Sequence, residues 1–217
     1  PFSDYRVAFN NISVADPLYT IPFLICIIVT LFFKRKNPKK IKWTKAGIYI
    51  SSFYLLFTIG NKLYVDTVFK KSFKKAGISM DRFSAQPTIL NNILWYAVAE
   101  TETQYHLTFY SLLDQKPLSE KIISVDKNHA LIDMSDENLQ TLTWFSNGYY
   151  NLSKRTETGT YKYVDLRYPM INPEDENSSV FNFTISKKNN EWDILPFQGK
   201  APTKKDLAVF VARILGI

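Results

Sequence analysis

Residues 18–33 read LYTIPFLICIIVTLFF and residues 46–59 read AGIYISSFYLLFTI, with the basic stretch KRKNPKKIKWTK between them. Crossing the apolar core of a bilayer takes about 20 apolar helical residues, with roughly 17 as the lower bound. The first run lies close to that bound, and residues 23–33 contain no charge and a single hydroxyl, that of Thr30. The pattern predicts a two-helix transmembrane hairpin. Asp16 and Pro17 suit the N-cap and first helical position of its first helix, and Pro22 one turn further in predicts a bend. The second helix extends over residues 43–63 if Trp43, Lys45, Asn61 and Lys62 anchor at headgroups. Ser51, Ser52 and Thr58 inside it favour close packing against a protein neighbour. The competing reading is a pair of helices buried in a soluble interior. A signal peptide fits poorly, because the basic cluster follows the first apolar run and no small-residue cleavage pattern is present.

Working outward, residues 1–16 form a membrane-proximal loop and residues 17–65 the hairpin. Pro1 stands where an initiator Met is expected, so an upstream segment is expected to have preceded the loop. Lys34, Arg35, Lys36, Lys39, Lys40, Lys42 and Lys45 crowd the short connection, and their density places it in the cytoplasm and the C-terminal portion outside. Residues 66–83 continue as an amphipathic juxtamembrane helix. Val65, Phe69, Phe73 and Ala76 share one stripe, with Lys70, Lys71, Lys74 and Lys75 largely elsewhere. That stripe suits either an interfacial helix holding anionic headgroups or a solvated helix packed on the next domain. The net charge of +7 sits mostly beside the hairpin while the later domain carries many acids, so nucleic acid is not the indicated partner.

From residue 84 to 217 the pattern alternates, with aromatic and β-branched residues throughout. Strands are predicted near 93–99, 105–112, 121–125, 149–154, 161–167 and 180–186. Turns are expected at 100–104 and 157–159. Ser135 is expected to cap a helix over DENLQTLTWF that Asn147 and Gly148 end, and Thr203 to cap the last helix, with Leu207, Phe210, Val211 and Ile214 on one face. The fold class is therefore α+β: a transmembrane hairpin followed by a mixed antiparallel-sheet domain with packed helices.

Catalytic machinery is sparse. The two histidines, His106 and His129, lack metal-ligand spacing; the single cysteine, Cys26, lies in the first helix; and seven glycines form no phosphate loop. These counts exclude a disulfide framework. His106 is expected at a surface or hairpin and His129 in a turn. The acidic stretch at 172–179 lacks calcium-loop spacing and reads as a solvated loop. NIS, NLS, NSS and NFT match glycosylation acceptors, a pattern of little weight by itself. Trp95, Tyr96, Tyr149, Tyr150 and Tyr163 suit either a ligand groove or cross-strand pairs and core. Neither apolar run holds a mid-membrane charge, which leaves a transporter subunit without support.

PFSDYRVAFNNISVADPLYT at 1–20, QPTILNNILWYAVAETETQYHLTFYSLLD at 86–114, WFSNGYY at 144–150 and YVDLRY at 163–168 resemble the C-terminal portion of a bacterial family. These are the membrane-bound metal-dependent hydrolases, also described as LexA-binding inner-membrane-associated hydrolases. The resemblance covers most of the chain through phrases and not through a catalytic signature. It implies a multi-pass protein of the bacterial inner membrane, with a divalent metal such as zinc held by segments preceding PFSDYR. Its implied partners are the lipid bilayer and upstream transmembrane helices of the same protein.

No metal ligand and no catalytic residue of this chain carries over. Asp4, Arg6 and Asp16 flank the start of the first helix and form a candidate edge of such a site, the plainer alternative being a capped helix start with a local ion pair. Two functions follow as expectations. One is the C-terminal part of a metal-dependent hydrolase, inactive by itself. The other is a membrane-tethered module that binds a ligand or partner without catalysis.

Overall fold

The computed structural model describes residues 8–115, 122–155, 159–169, 181–188, 191–196 and 203–217. The acidic stretch at 172–179 and most of the turn at 157–159 lie outside the described residues. The fold is α+β, with four helices and two antiparallel sheets among the described residues.

Helix α1 spans Pro17–Leu31, with Pro17 at its first turn and the Asp16 side chain accepting from the Leu18 amide at 3.0 Å. Helix α2 spans Pro38–Lys75, starts from the Asn37 cap, and ends with Lys74 and Lys75 in its last turn, where cations complement the helix dipole. The two helices pack through small groups. A Cβ placed on Gly47 would lie 3.0 Å from the Cβ of Cys26, so the absent side chain is what lets the helices approach. Cys26, Gly47, Ser51 and Thr58 are buried along this seam. At its open end the Tyr54 hydroxyl donates to Asp16 at 2.9 Å, and the Asn11 amide donates to Thr58 at 2.8 Å.

A helical hairpin thus forms, but it is not the transmembrane one that the apolar runs predict. Among the described residues no helix is long and apolar enough to cross a membrane. Helix α1 has 15 residues, about 22 Å at 1.5 Å per residue, against a hydrocarbon core of about 30 Å. Helix α2 is long enough, but Ser51, Ser52, Thr58, Gly60, Asn61 and Lys62 dilute its apolar segment. The multi-pass inner-membrane location and the cytoplasmic loop with an outer domain rest on spanning helices, and are corrected with them.

Beyond the hairpin α2 becomes a core helix. Val65, Phe69 and Phe73 are fully buried against Ala85, Trp95, Ala97, Ala99 and Tyr110 of the first sheet. That sheet is a meander of β1 (Arg82–Pro87), β2 (Leu94–Glu100), β3 (Gln104–Ser111) and β4 (Ile123–Asp126). The period of two along β2 sends Trp95, Ala97 and Ala99 toward α2. Tyr96 and Val98 face the other way, joining Tyr105, Leu107, Tyr149 and Leu166.

The second sheet runs β5 (Tyr150–Lys154), β6 (Thr160–Asp165), β7 (Asn182–Lys188) and β8 (Glu191–Pro196). Helix α3 (Glu137–Phe145) covers it, placing Leu139 and Leu142 on Tyr150, Leu152, Tyr163 and Ile185. Its cap is Asp136 and not Ser135: the Asp136 carboxylate accepts from Asn138 at 2.9 Å, while Ser135 turns back to Asp133. Asn147 and Gly148 follow its end at φ 53° and 74°. Helix α4 (Lys204–Ile214) starts from a Thr203–Asp206 capping box. Strands β1 and β8 are absent from the sequence-based reading, since RFSAQP and EWDILP alternate weakly and each ends on Pro.

Candidate functional site

Of the candidate site residues, Asp4 and Arg6 lie outside the described residues. Asp16 is buried, and one carboxylate oxygen caps α1 while the other accepts from Tyr54. One oxygen thus fixes the start of α1 and the other ties that start to α2. Among the described residues no three of His, Cys, Asp and Glu come together as a metal site would require.

The hairpin surface is the more distinctive feature. Leu24, Ile28, Leu31 and Phe32 on the first arm face outward, as do Ile41, Ile48, Phe53, Leu56 and Phe57 on the second, with Phe53 74% and Phe32 82% exposed. The distribution inverts that of a water-facing helix pair, because small residues with the Phe23 ring fill the seam and most of the large apolar side chains point away from it. Lys34, Arg35, Lys36, Lys39, Lys42 and Lys45 are exposed at the tip, with Lys40 half-buried beside them. Residues 17–65 contain no Asp or Glu. Lys70, Lys71, Lys74 and Lys75 are exposed at the far end of α2, where Lys70 also lies 5.6 Å from the Phe83 ring.

A second charged cluster joins the two sheets. Glu100 accepts from Arg82 at 2.5 Å and from Lys127 at 2.8 Å. Burial pushes its carboxyl up, but those two bonds outweigh burial and hold it below the usual range. Arg82 stacks 4.5 Å over Tyr149, and Lys127 lies 5.3 Å over Tyr105. His129 bonds the Tyr150 carbonyl through Nε2 at 2.9 Å and stacks on the Tyr150 ring at 4.0 Å. Tyr150 in turn stacks on Tyr163 at 4.6 Å. Every group here has a partner within the fold, which marks the cluster as a joint between sheets.

Trp95, Tyr96, Tyr149, Tyr150 and Tyr163 are all buried and are core, not groove. An open groove of about 560 Å³ lies instead between α3 and the β7–β8 hairpin, with Phe145, Phe183 and Trp192 along it. Its aromatics come from α3 and from β7 and β8, which lie far from α3 in the sequence, so pattern alone did not single them out. His106 is buried in β3 with Nδ1 2.9 Å from the Ser124 hydroxyl, and not at a surface. Set against family models, curated proteins and solved structures, the chain matches none of them.

Burial lowers the pKa of both histidines from 6.5, and around His129 the neighbouring Lys127 and Arg82 add to this while Glu100 and the Tyr150 carbonyl oppose it. The folded chain therefore binds fewer protons than the unfolded chain once pH falls below that value. The associated stability is full above about pH 6.5 and is lost as pH falls through the lowered folded values, with Glu100 adding a further loss at more acidic pH. Urea midpoints are expected to drop between about pH 7.5 and about pH 5.5. His106→Gln with His129→Gln should flatten that slope, and an equally steep slope in the double variant would contradict the assignment.

Proposed function

We propose that this chain is a binding module that holds an anionic lipid surface along the exterior of its α1–α2 hairpin and carries the two-sheet domain there. The observation behind this reading is the outward placement of large apolar side chains on both arms, beside a basic tip in a segment without acids. An interfacial contact gains from buried apolar area and from attraction of each near-surface Lys or Arg to anionic headgroups, on the order of 1 kcal/mol apiece. It requires no helix to reach across a bilayer. A monomer in water rarely leaves so continuous an apolar surface uncovered.

The metal-dependent hydrolysis that the resemblance implies is a separate reading. Its ligands would come from outside the described residues.

Flotation of the full chain with vesicles tests the proposal. Binding is expected to vesicles containing phosphatidylglycerol, weaker binding to pure phosphatidylcholine, and a decline as salt shortens the screening length. Phe53→Ser with Leu56→Ser should weaken it at least about tenfold, since each side chain contributes on the order of 1.5–3 kcal/mol when fully buried. A chain that ignores both vesicle types, or that covers this face only by self-association, would overturn the reading.

A further inference from the structure

Five hydrogen-bonded contacts tie one end of the first sheet to α2, to the segment before α1 and to the C-terminal helix, at the level where α2 leaves the hairpin. The Asn61 amide donates to Asn92 at 2.9 Å, and the Asn92 amide donates to the Asn11 carbonyl at 2.8 Å, seating the β1–β2 turn beside α2. The Tyr64 and Tyr110 hydroxyls meet at 3.3 Å. At the end of β3 the Ser111 hydroxyl donates to the Ile214 carbonyl at 2.6 Å, and Arg213 grips Asp114 with both terminal nitrogens at 2.6 and 2.8 Å. Gly216, at φ 76°, comes so close that a Cβ there would lie 2.6 Å from the Leu113 carbonyl oxygen.

What these contacts hold is apolar and uncovered. Ile89, Leu90, Leu113, Leu215 and Ile217 are exposed at the hairpin-facing end of the sheet, and Leu63 and Tyr64 are exposed on the adjoining turn of α2. Residues 86–99 carry no charge. Leu90 adds an independent sign, since it sits at φ 62° in an exposed turn. A left-handed backbone strains a leucine and suits asparagine or glycine, so local stability favours neither its conformation nor its exposure. Such strain points to a use for the side chain itself.

We infer that this rim is a second lipid contact, continuous with the hairpin, which fixes the orientation of the two-sheet domain on the surface. The inference rests on the lipid reading of the hairpin. The occupant follows from continuity: the rim joins the apolar exterior of an acid-free segment, and the nearby Lys62 is balanced by Asp66 at 2.5 Å, which leaves the rim an apolar contact.

The experiment places an environment-sensitive fluorophore on single cysteines in the full chain carrying Cys26→Ala. The labelled sites come from Phe53→Cys on the hairpin, Leu90→Cys on the rim and Glu102→Cys at the opposite end of the same sheet. With phosphatidylglycerol vesicles, positions 53 and 90 should shift to the blue and position 102 should not. Separately, Leu90→Asn should relieve backbone strain, keep or raise the thermal midpoint, and weaken vesicle affinity about fivefold. A shift at 53 without one at 90, or unchanged affinity of Leu90→Asn, would overturn the rim while leaving the hairpin reading intact. No shift at 53 would overturn the hairpin reading first. A shift at all three positions would mean insertion or unfolding of the domain and would also overturn the rim.

Discussion

Phe69→Ala is expected to destabilise the chain by about 3–5 kcal/mol, the usual cost of deleting a buried aromatic ring. Phe69 is fully buried and stands at the centre of a ring cluster, 6.5 Å from Phe73, 6.4 Å from Phe83 and 6.2 Å from Tyr110. Truncation opens a cavity between α2 and the first sheet, where Trp95 and Ala97 sit on rigid backbone and cannot collapse into it. Because Phe69 belongs to the same helix that forms the hairpin, the loss should also loosen the hairpin from the sheet. Urea denaturation followed by Trp fluorescence measures the first effect, and amide exchange over residues 61–75 the second. A loss under about 1 kcal/mol would show that α2 does not carry this core.

Asp165→Ala is expected to be almost as costly, about 3–5 kcal/mol, as when one partner of a buried ion pair is deleted. The Asp165 side chain is fully buried, and it accepts from the backbone amide of Arg167 at 3.0 Å and from the guanidinium at 3.1 and 2.6 Å. Arg167 also lies 5.3 Å over Phe145 and 5.4 Å over Tyr168, so its cation stays in place when the carboxylate goes. Asp165→Asn keeps an acceptor for the Arg167 amide and should cost less. Adding Arg167→Met to Asp165→Ala should recover part of the loss, because the uncompensated charge leaves with it. Equal urea midpoints for the single Asp165→Ala variant and the double variant would show that packing, and not charge, sets the cost.

Much of the fold was legible. Strong alternation and aromatic content marked β2, β3, β5 and β6 within a few residues, and the caps at Asp16 and Thr203 were readable because capping is a local hydrogen bond. Asp136 took the cap assigned to Ser135, since adjacent polar residues compete for the same amides. The candidate site was less legible. The basic tip and the apolar runs are plain in the sequence, but Leu90 and Ile217 come to the same end of the first sheet only through contacts between residues far apart in the chain.

Composition and local pattern by themselves determined an α+β chain, a helical hairpin with a basic tip, and the absence of a disulfide framework, because propensity, capping and charge act over a few residues. Whether the apolar runs reach across a bilayer depended on where each helix begins and ends and on which side chains line its seam. That is a property of the packed pair, in which Gly47 admits Cys26 and turns the larger residues outward. The tertiary structure likewise decided that the tyrosines form core and that β8 exists, since burial is set by neighbours distant in sequence.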